Sequence, residues 1–143
     1  MKSMLKIGVG VTCVLLQLGC GPAPSGTPSD ETLISDDQTL ILEVLDTYTQ
    51  SLVAKDIDRC LSLVSEYYSD PQRETKDAVR ESLIAAKDAG ELDDLKVSID
   101  EVKIVIDGEG IEATASPVNI RDGIWTFTLV KEEGSWLIIG GED

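Results

Sequence analysis

Apolar residues in this chain recur at two different periods, and the switch between them divides the molecule. Ile41, Val44, Leu45, Tyr48 and Leu52 fall at helical spacing and make a single stripe. Ser35-Asp36-Asp37-Gln38 ahead of it fits a capping box, with Ser35 as N-cap and Gln38 reaching back to its amide. Asp56 caps a second, shorter helix whose face is Ile57, Cys60, Leu61 and Val64. A third helix runs from about Thr75 to Ala89, with Val79, Leu83 and Ala86 inward and Gly90 closing it.

From Leu95 the apolar residues alternate instead. Leu95, Val97 and Ile99 point one way, and Val102, Ile104 and Ile106 carry the pattern on with a phase slip across Asp100-Glu101. Such a slip is what a β-bulge produces, and it bends the strand. Asp107-Gly108-Glu109-Gly110 is a turn, after which Ile111, Ala113 and Ala115 share a face. Pro117 cannot donate to a ladder, so the chain there lies at an edge or is irregular. Asp122-Gly123 is a hairpin signal, Trp125, Phe127 and Leu129 alternate with Thr126 and Thr128, and Glu133-Gly134 leads into a last strand over 136–139. The pattern predicts an α+β domain: three N-terminal helices packed on a strongly curved antiparallel sheet of about four strands.

The first residues follow neither pattern. Lys2 and Lys6 precede an almost wholly apolar run over 7–19 that ends at Gly19-Cys20. Its length suits the core of an export signal, about 7–15 residues. As a helix it rises only about 20 Å, too short to span a bilayer. Gly19-Cys20 resembles the end of a bacterial lipoprotein signal, in which the cysteine is acylated and becomes the new N-terminus; Gln17 stands where that pattern has Leu, with Leu16 one place early. An ordinary secretory signal or a short buried helix are the alternatives, and no A-x-A-like site lies between Leu18 and Ser29. The expected organisation is a signal peptide over 1–19, lipidated Cys20 with a Gly/Pro/Ser tether over 20–32, and a domain over 33–143. Pro22, Pro24, Gly26 and Pro28 keep the tether extended and solvated. Lipidation would tie the chain to a bacterial membrane. Gly21 stands where an Asp would resemble an inner-membrane retention signal, which favours the outer membrane.

Charge and absent residue types prune the chemistry. The formal charge is −15, and both Lys2 and Lys6 lie in the opening segment, so the body is more acidic still. It repels nucleic-acid phosphates and anionic lipid surfaces. With no histidine, Ser-His-Asp and Cys-His nucleophile systems are excluded, as is the commonest zinc ligand. Phosphate-cradling glycine motifs and calcium-loop spacing are missing, so no cofactor or metal is expected. Once Cys13 is removed and Cys20 acylated, Cys60 stands alone on an apolar helix face, a buried thiol rather than a nucleophile.

The stretches "ILEVLDTYTQSLVAKDIDRCLSLVSEYYSDP" (41–71) and "FTLVKEEGSWLIIGGED" (127–143) resemble the nuclear transport factor 2-like superfamily, which includes ketosteroid isomerase. The resemblance implies a cone, a curved sheet wrapped on helices with a pocket at its wide end. It also implies a catalytic alternative. In that isomerase a helix Tyr stabilises an enolate and an Asp before a Pro moves the proton; Tyr48 and Asp70-Pro71 stand in like places here, and Asp100 is the nearest counterpart of a third, protonated Asp. A carboxylate base and a phenol donor can enolise a carbonyl compound without histidine. Tyr48 also reads as a core tyrosine, and Asp70-Pro71 as an ordinary turn. Tyr67, Tyr68, Arg73, Arg121 and Trp125 are the other side chains able to line a cone mouth, where an arginine would suit a carboxylate. The fold hosts enzymes, ligand binders and protein-binding modules alike. The leading expectation is a non-catalytic domain that binds a small hydrophobic ligand or a protein partner, delivered by an exported lipoprotein. The alternatives are a small isomerase or lyase using Asp70 and Tyr48, and a homodimer paired through the outer sheet face that carries Thr126 and Thr128.

Overall fold

The structure, a computed structural model, describes residues 35–143. The expected signal peptide, Cys20, the tether and the first two residues of the expected domain lie outside the described residues.

Three helices come first, as the 3.6-residue period requires: α1 (Asp36–Val53), α2 (Ile57–Ser62) and α3 (Lys76–Asp88). Each starts on a side-chain cap. Ser35 and Gln38 form the capping box at α1, Asp56 accepts the amide of Arg59 at α2, and Thr75 accepts that of Ala78 at α3. The α1 stripe is the centre of the core, where Ile41 and Leu45 are fully buried among Cys60, Val64, Ala115, Leu129 and Ile138. Thr49 and Ser51 are buried on the same helix and donate back to the carbonyls of Leu45 and Thr47 at 2.9 and 2.7 Å, which removes the cost of burying a hydroxyl.

The sheet follows with β1 (Val97–Ser98), β2 (Lys103–Ile106), β3 (Glu112–Ile120), β4 (Gly123–Glu132) and β5 (Ser135–Glu142), all paired antiparallel. Strand β3 is central, with β1 and β2 along one side and β4 on the other, and β5 lies beyond β4. Helix α1 packs on β1, β2 and β5. A single helix meets both margins of a sheet only if the sheet wraps around it, and the ladders show how it does so. One extra residue sits in β3 between Ala115 and Val118, and Ile139 is the extra residue in β5 opposite Thr128/Leu129. Each bulge bends its strand and increases its twist. Pro117 falls inside the first, where no ladder donor is needed.

Two local expectations are corrected. The phase slip at Asp100-Glu101 is more than a bulge within one strand: residues 99–102 leave the ladder as a turn, closed by Val102 N–H to the Ile99 carbonyl at 3.2 Å, and separate β1 from β2. That makes five strands. The β3–β4 turn uses Arg121-Asp122, because Gly123 already pairs with Ile120. Arg121 takes the left-handed conformation at φ 60. That conformation costs a non-glycine residue about 1–2 kcal/mol, and two bonds offset it, from Arg121 N–H to the Lys96 carbonyl at 2.7 Å and from its guanidinium to the Glu91 carbonyl. Ile111, expected to face inward with Ala113, stays in the turn and is half exposed, because its amide is held by the Asp107 carboxylate.

The outer edge of β5 would be an open row of backbone groups. The segment after α2 closes it: Ser65 and Ser69 amides donate to Ile138 and Ile139 carbonyls, and Ile138 N–H donates to Leu63. Gly140 and Gly141 allow this approach. A Cβ at Gly140 would lie 3.2 Å from the Ser69 carbonyl oxygen, and one at Gly141 would lie 3.1 Å from the Phe127 ring. At the other end of α1, Asp37 accepts from Lys131 Nζ at 2.7 Å and Trp136 Nε1 at 3.0 Å, fastening the helix start to β4 and β5.

Candidate functional site

Strapping residues 63–70 along β5 has a consequence for chemistry: it delivers Tyr68, Asp70 and Arg73 to one end of the core. There a cavity of about 360 Å³ opens between three walls. Tyr48 and Leu52 from the last turns of α1 form one, with Leu83 of α3 beside them. Leu92 and Leu95, from the loop after α3, form the second. Trp125 and Phe127 of β4 form the third, and the β3–β4 turn, Glu91 and Asp143 stand at the rim. Most of this lining is apolar.

The third wall is built from stacked rings. Arg73 Cζ lies 5.5 Å from the Trp125 ring centroid. Trp125 stacks on Phe127 at 6.2 Å with 18° between planes, and Tyr48 meets Phe127 edge-on at 5.6 Å. Contacts therefore run from Arg73 through Trp125 and Phe127 to Tyr48, and the Arg73 charge also acts on the Tyr48 phenol. Offset and edge contacts of this kind favour a fixed ring geometry.

Asp70 stands behind this surface and is not among the residues lining the cavity. Its carboxylate is 1 % exposed and accepts four hydrogen bonds: from the Tyr68 hydroxyl, from Gln72 N–H at 2.7 Å and Arg73 N–H at 2.5 Å, and from Arg73 Nε at 3.0 Å. Burial by itself raises the pKa of this carboxyl, but the Tyr68 hydroxyl, the two amides and the Arg73 charge outweigh it and hold it below its ordinary value. Asp70 is thus ionised at neutral pH with its lone pairs engaged. Its role in this arrangement is to anchor Arg73 and Tyr68.

Apart from the exposed carboxylates at the rim, the polar groups on the cavity include unused donors. Among the described residues the Tyr48 hydroxyl has no hydrogen-bond partner, although Tyr48 is 7 % exposed. Burial raises its pKa, so it remains a neutral phenol. Arg73 spends its Nε on Asp70, and its two terminal NH2 groups donate to no described protein atom. Tyr68 is also raised by burial and by its bond to Asp70, and it is committed there.

Of the residues expected from sequence to form a site, Tyr48, Tyr68, Arg73, Arg121 and Trp125 all line this one cavity. Tyr67 does not; it is 82 % exposed and belongs neither to the cavity nor to the core. Asp100 is exposed and bonded to Ser98, away from the cavity. Leu92, Leu95, Phe127 and Asp143 were not foreseen as lining residues. The alternation in β4 marks Phe127 as inward-facing, but nothing in a sequence pattern says that the loop after α3 closes over the same space.

No family model matches the chain, and no curated protein does. Solved structures do. An uncharacterized protein with a cystatin-like fold from Caulobacter vibrioides aligns with a TM-score of 0.62 at 16% identity, over 75% of this chain and 87% of that one. A nuclear transport factor 2-like protein of unknown function from Pseudomonas putida KT2440 aligns at 0.58 and 13% identity, over 72% and 82%. The fold is nuclear transport factor 2-like. A third neighbour, from Novosphingobium aromaticivorans and provisionally named a scytalone dehydratase, aligns at 0.57 and 18% identity, over 74% and 81%.

Identities this low carry the fold and leave the chemistry to the site. In this nuclear transport factor 2-like domain the site has apolar walls, two free donor groups and a carboxylate withdrawn behind them. Such an arrangement can hold a molecule by its apolar body and fix its orientation through an acceptor atom.

Proposed function

We propose that this chain is an exported protein, lipid-anchored to a bacterial membrane through Cys20, whose nuclear transport factor 2-like domain binds a small ligand without transforming it. The observation that carries the binding part is the cavity of about 360 Å³ whose buried polar groups without a described partner, on Tyr48 and Arg73, are donors, while its carboxylates Glu91, Asp122 and Asp143 are on exposed residues. Its size and apolar lining suit a small molecule better than a protein segment. A general base needs an accessible lone pair within reach of a substrate proton. Asp70 offers none, because Tyr68, Gln72 and Arg73 occupy its oxygens. The lipid anchor is supported by sequence alone, by the run over 7–19 that ends at Gly19-Cys20.

The isomerase or lyase reading has one observation in its favour, the unbonded Tyr48 hydroxyl in the cavity, and the dehydratase name of the Novosphingobium neighbour fits it. It needs Asp70 to release its partners and turn inward.

Two measurements test the proposal. Native mass spectrometry of the full chain should reveal a copurified small molecule, and a β,γ-unsaturated ketone should not isomerise. Turnover that disappears in Asp70→Asn would replace the binding reading with the catalytic one. For the anchor, mass spectrometry of the mature N-terminus should find diacyl or triacyl Cys20, and a Cys20→Ser variant should leave the membrane fraction. An unmodified residue 20 in membranes would refute it.

A further inference from the structure

Two donors without a described partner line one cavity, and their chemistry narrows the ligand. Arg73 is held by Asp70 through Nε alone, at 3.0 Å, which fixes the plane of the guanidinium and leaves both terminal NH2 groups unspent. Its side chain is 18 % exposed, so water satisfies those groups only in part. A half-satisfied, largely desolvated guanidinium binds a carboxylate more strongly than a neutral oxygen, because both parallel N–H bonds are charge-assisted. Tyr48 supplies a further buried donor in the same cavity, unbonded among the described residues. Trp125 and Phe127 line the same cavity and give it aromatic surface. At the exposed rim three carboxylates, Glu91, Asp122 and Asp143, stand against one cation, Arg121, whose guanidinium donates to the Glu91 carbonyl. A second negative charge at the outer end of a ligand would meet them.

We propose that the cavity takes a monocarboxylate with an apolar body, its head group on Arg73 with Tyr48 as a second donor, its body against the apolar lining that includes Trp125 and Phe127, and its outer end uncharged. This rests on the ligand-binding reading above and names the ligand class for that same site. The acidic rim excludes dicarboxylates, and the unspent guanidinium disfavours the corresponding alcohols.

Calorimetry on the full chain with three probes tests it: naphthoate, the neutral analogue naphthylmethanol, and naphthalenedicarboxylate. Naphthoate should bind about tenfold or more tightly than either of the others. Arg73→Gln should remove that preference by weakening naphthoate far more than the alcohol. Because Arg73 also pairs with buried Asp70, this variant could fail to fold; Tyr48→Phe keeps the ring packing, and should weaken naphthoate several-fold more than it weakens the alcohol. Equal affinity for acid and alcohol, or an acid preference that survives both substitutions, overturns the carboxylate assignment and leaves the binding reading standing. Failure of all three probes to bind, in a folded chain, overturns the binding reading itself.

Discussion

Replacing Asp70 by Asn tests how the site is held together. The carboxylate is 1 % exposed and joins two backbone amides, a phenol and a guanidinium that is itself 18 % exposed. In Asp70→Asn one oxygen can still accept from Gln72 and Arg73 N–H, at 2.7 and 2.5 Å in the native chain. The new amide nitrogen faces Arg73 Nε, donor against donor. Breaking a fully buried ion pair costs about 3–5 kcal/mol, and a single hydrogen bond to a charged group contributes about 1.5–3 kcal/mol. Arg73 is partly hydrated and half of the bonds survive, so the cost should fall at about 2–3 kcal/mol. In a domain of this size that lowers Tm by on the order of 10 °C.

The pH dependence of that cost has a definite sign. The folded pKa of Asp70 lies below its ordinary value, so its contribution is complete above the unfolded pKa near 4. It is lost as the pH falls from there through the folded pKa. Urea denaturation of both proteins at pH 7 and pH 3 should therefore show a gap that narrows by about 1 kcal/mol at the lower pH. The reasoning fails if the variant is within about 0.5 kcal/mol of the native protein at pH 7, or if the gap is no narrower in acid.

Other expectations follow from single residues. Burial, with Asp56 nearby, pushes the Cys60 thiol up to about 12, so a thiol reagent should label it only upon unfolding; labelling of the native protein at the rate of a free thiol would contradict its packing. Gly141→Ala sets a methyl group 3.1 Å from the Phe127 ring. It should cost about 1–3 kcal/mol and change the near-ultraviolet dichroism of the Trp125–Phe127 stack, and an unchanged spectrum would count against that contact. Leu129→Ala empties a fully buried position between β3 and β5 and should destabilise by about 2–5 kcal/mol in denaturant titration, whereas a loss under 1 kcal/mol would mean that the site collapses freely.

The local elements of this protein were legible in its sequence because local physics makes them. The capping box at Ser35 and the stripe Ile41–Leu52 follow from the geometry of a helix that must satisfy its first amides and bury one face. The alternation of Trp125, Phe127 and Leu129 follows from the two-residue repeat of a strand with one buried face. Even the Glu133-Gly134 turn is read directly, since both residues take positive φ, at 50 and 87, as a two-residue hairpin turn requires. Irregular backbone was harder. The shift of the β3–β4 turn onto Arg121 depends on bonds to Lys96 and Glu91, contributed by a distant loop.

The site was decided at a longer range still. Tyr48, Tyr68, Arg73, Arg121 and Trp125 were candidates by residue type, but nothing local separates Tyr68, buried against Asp70, from its neighbour Tyr67 in solvent. That choice is made when residues 63–70 hydrogen-bond along the free edge of β5, more than sixty residues away in sequence. The same strap turns Asp70 away from the cavity and into the ion pair with Arg73. Sequence periodicity determines which face of an element is buried; which buried groups meet, and which donors are left unspent, depends on edges and loops that come together only in the folded chain.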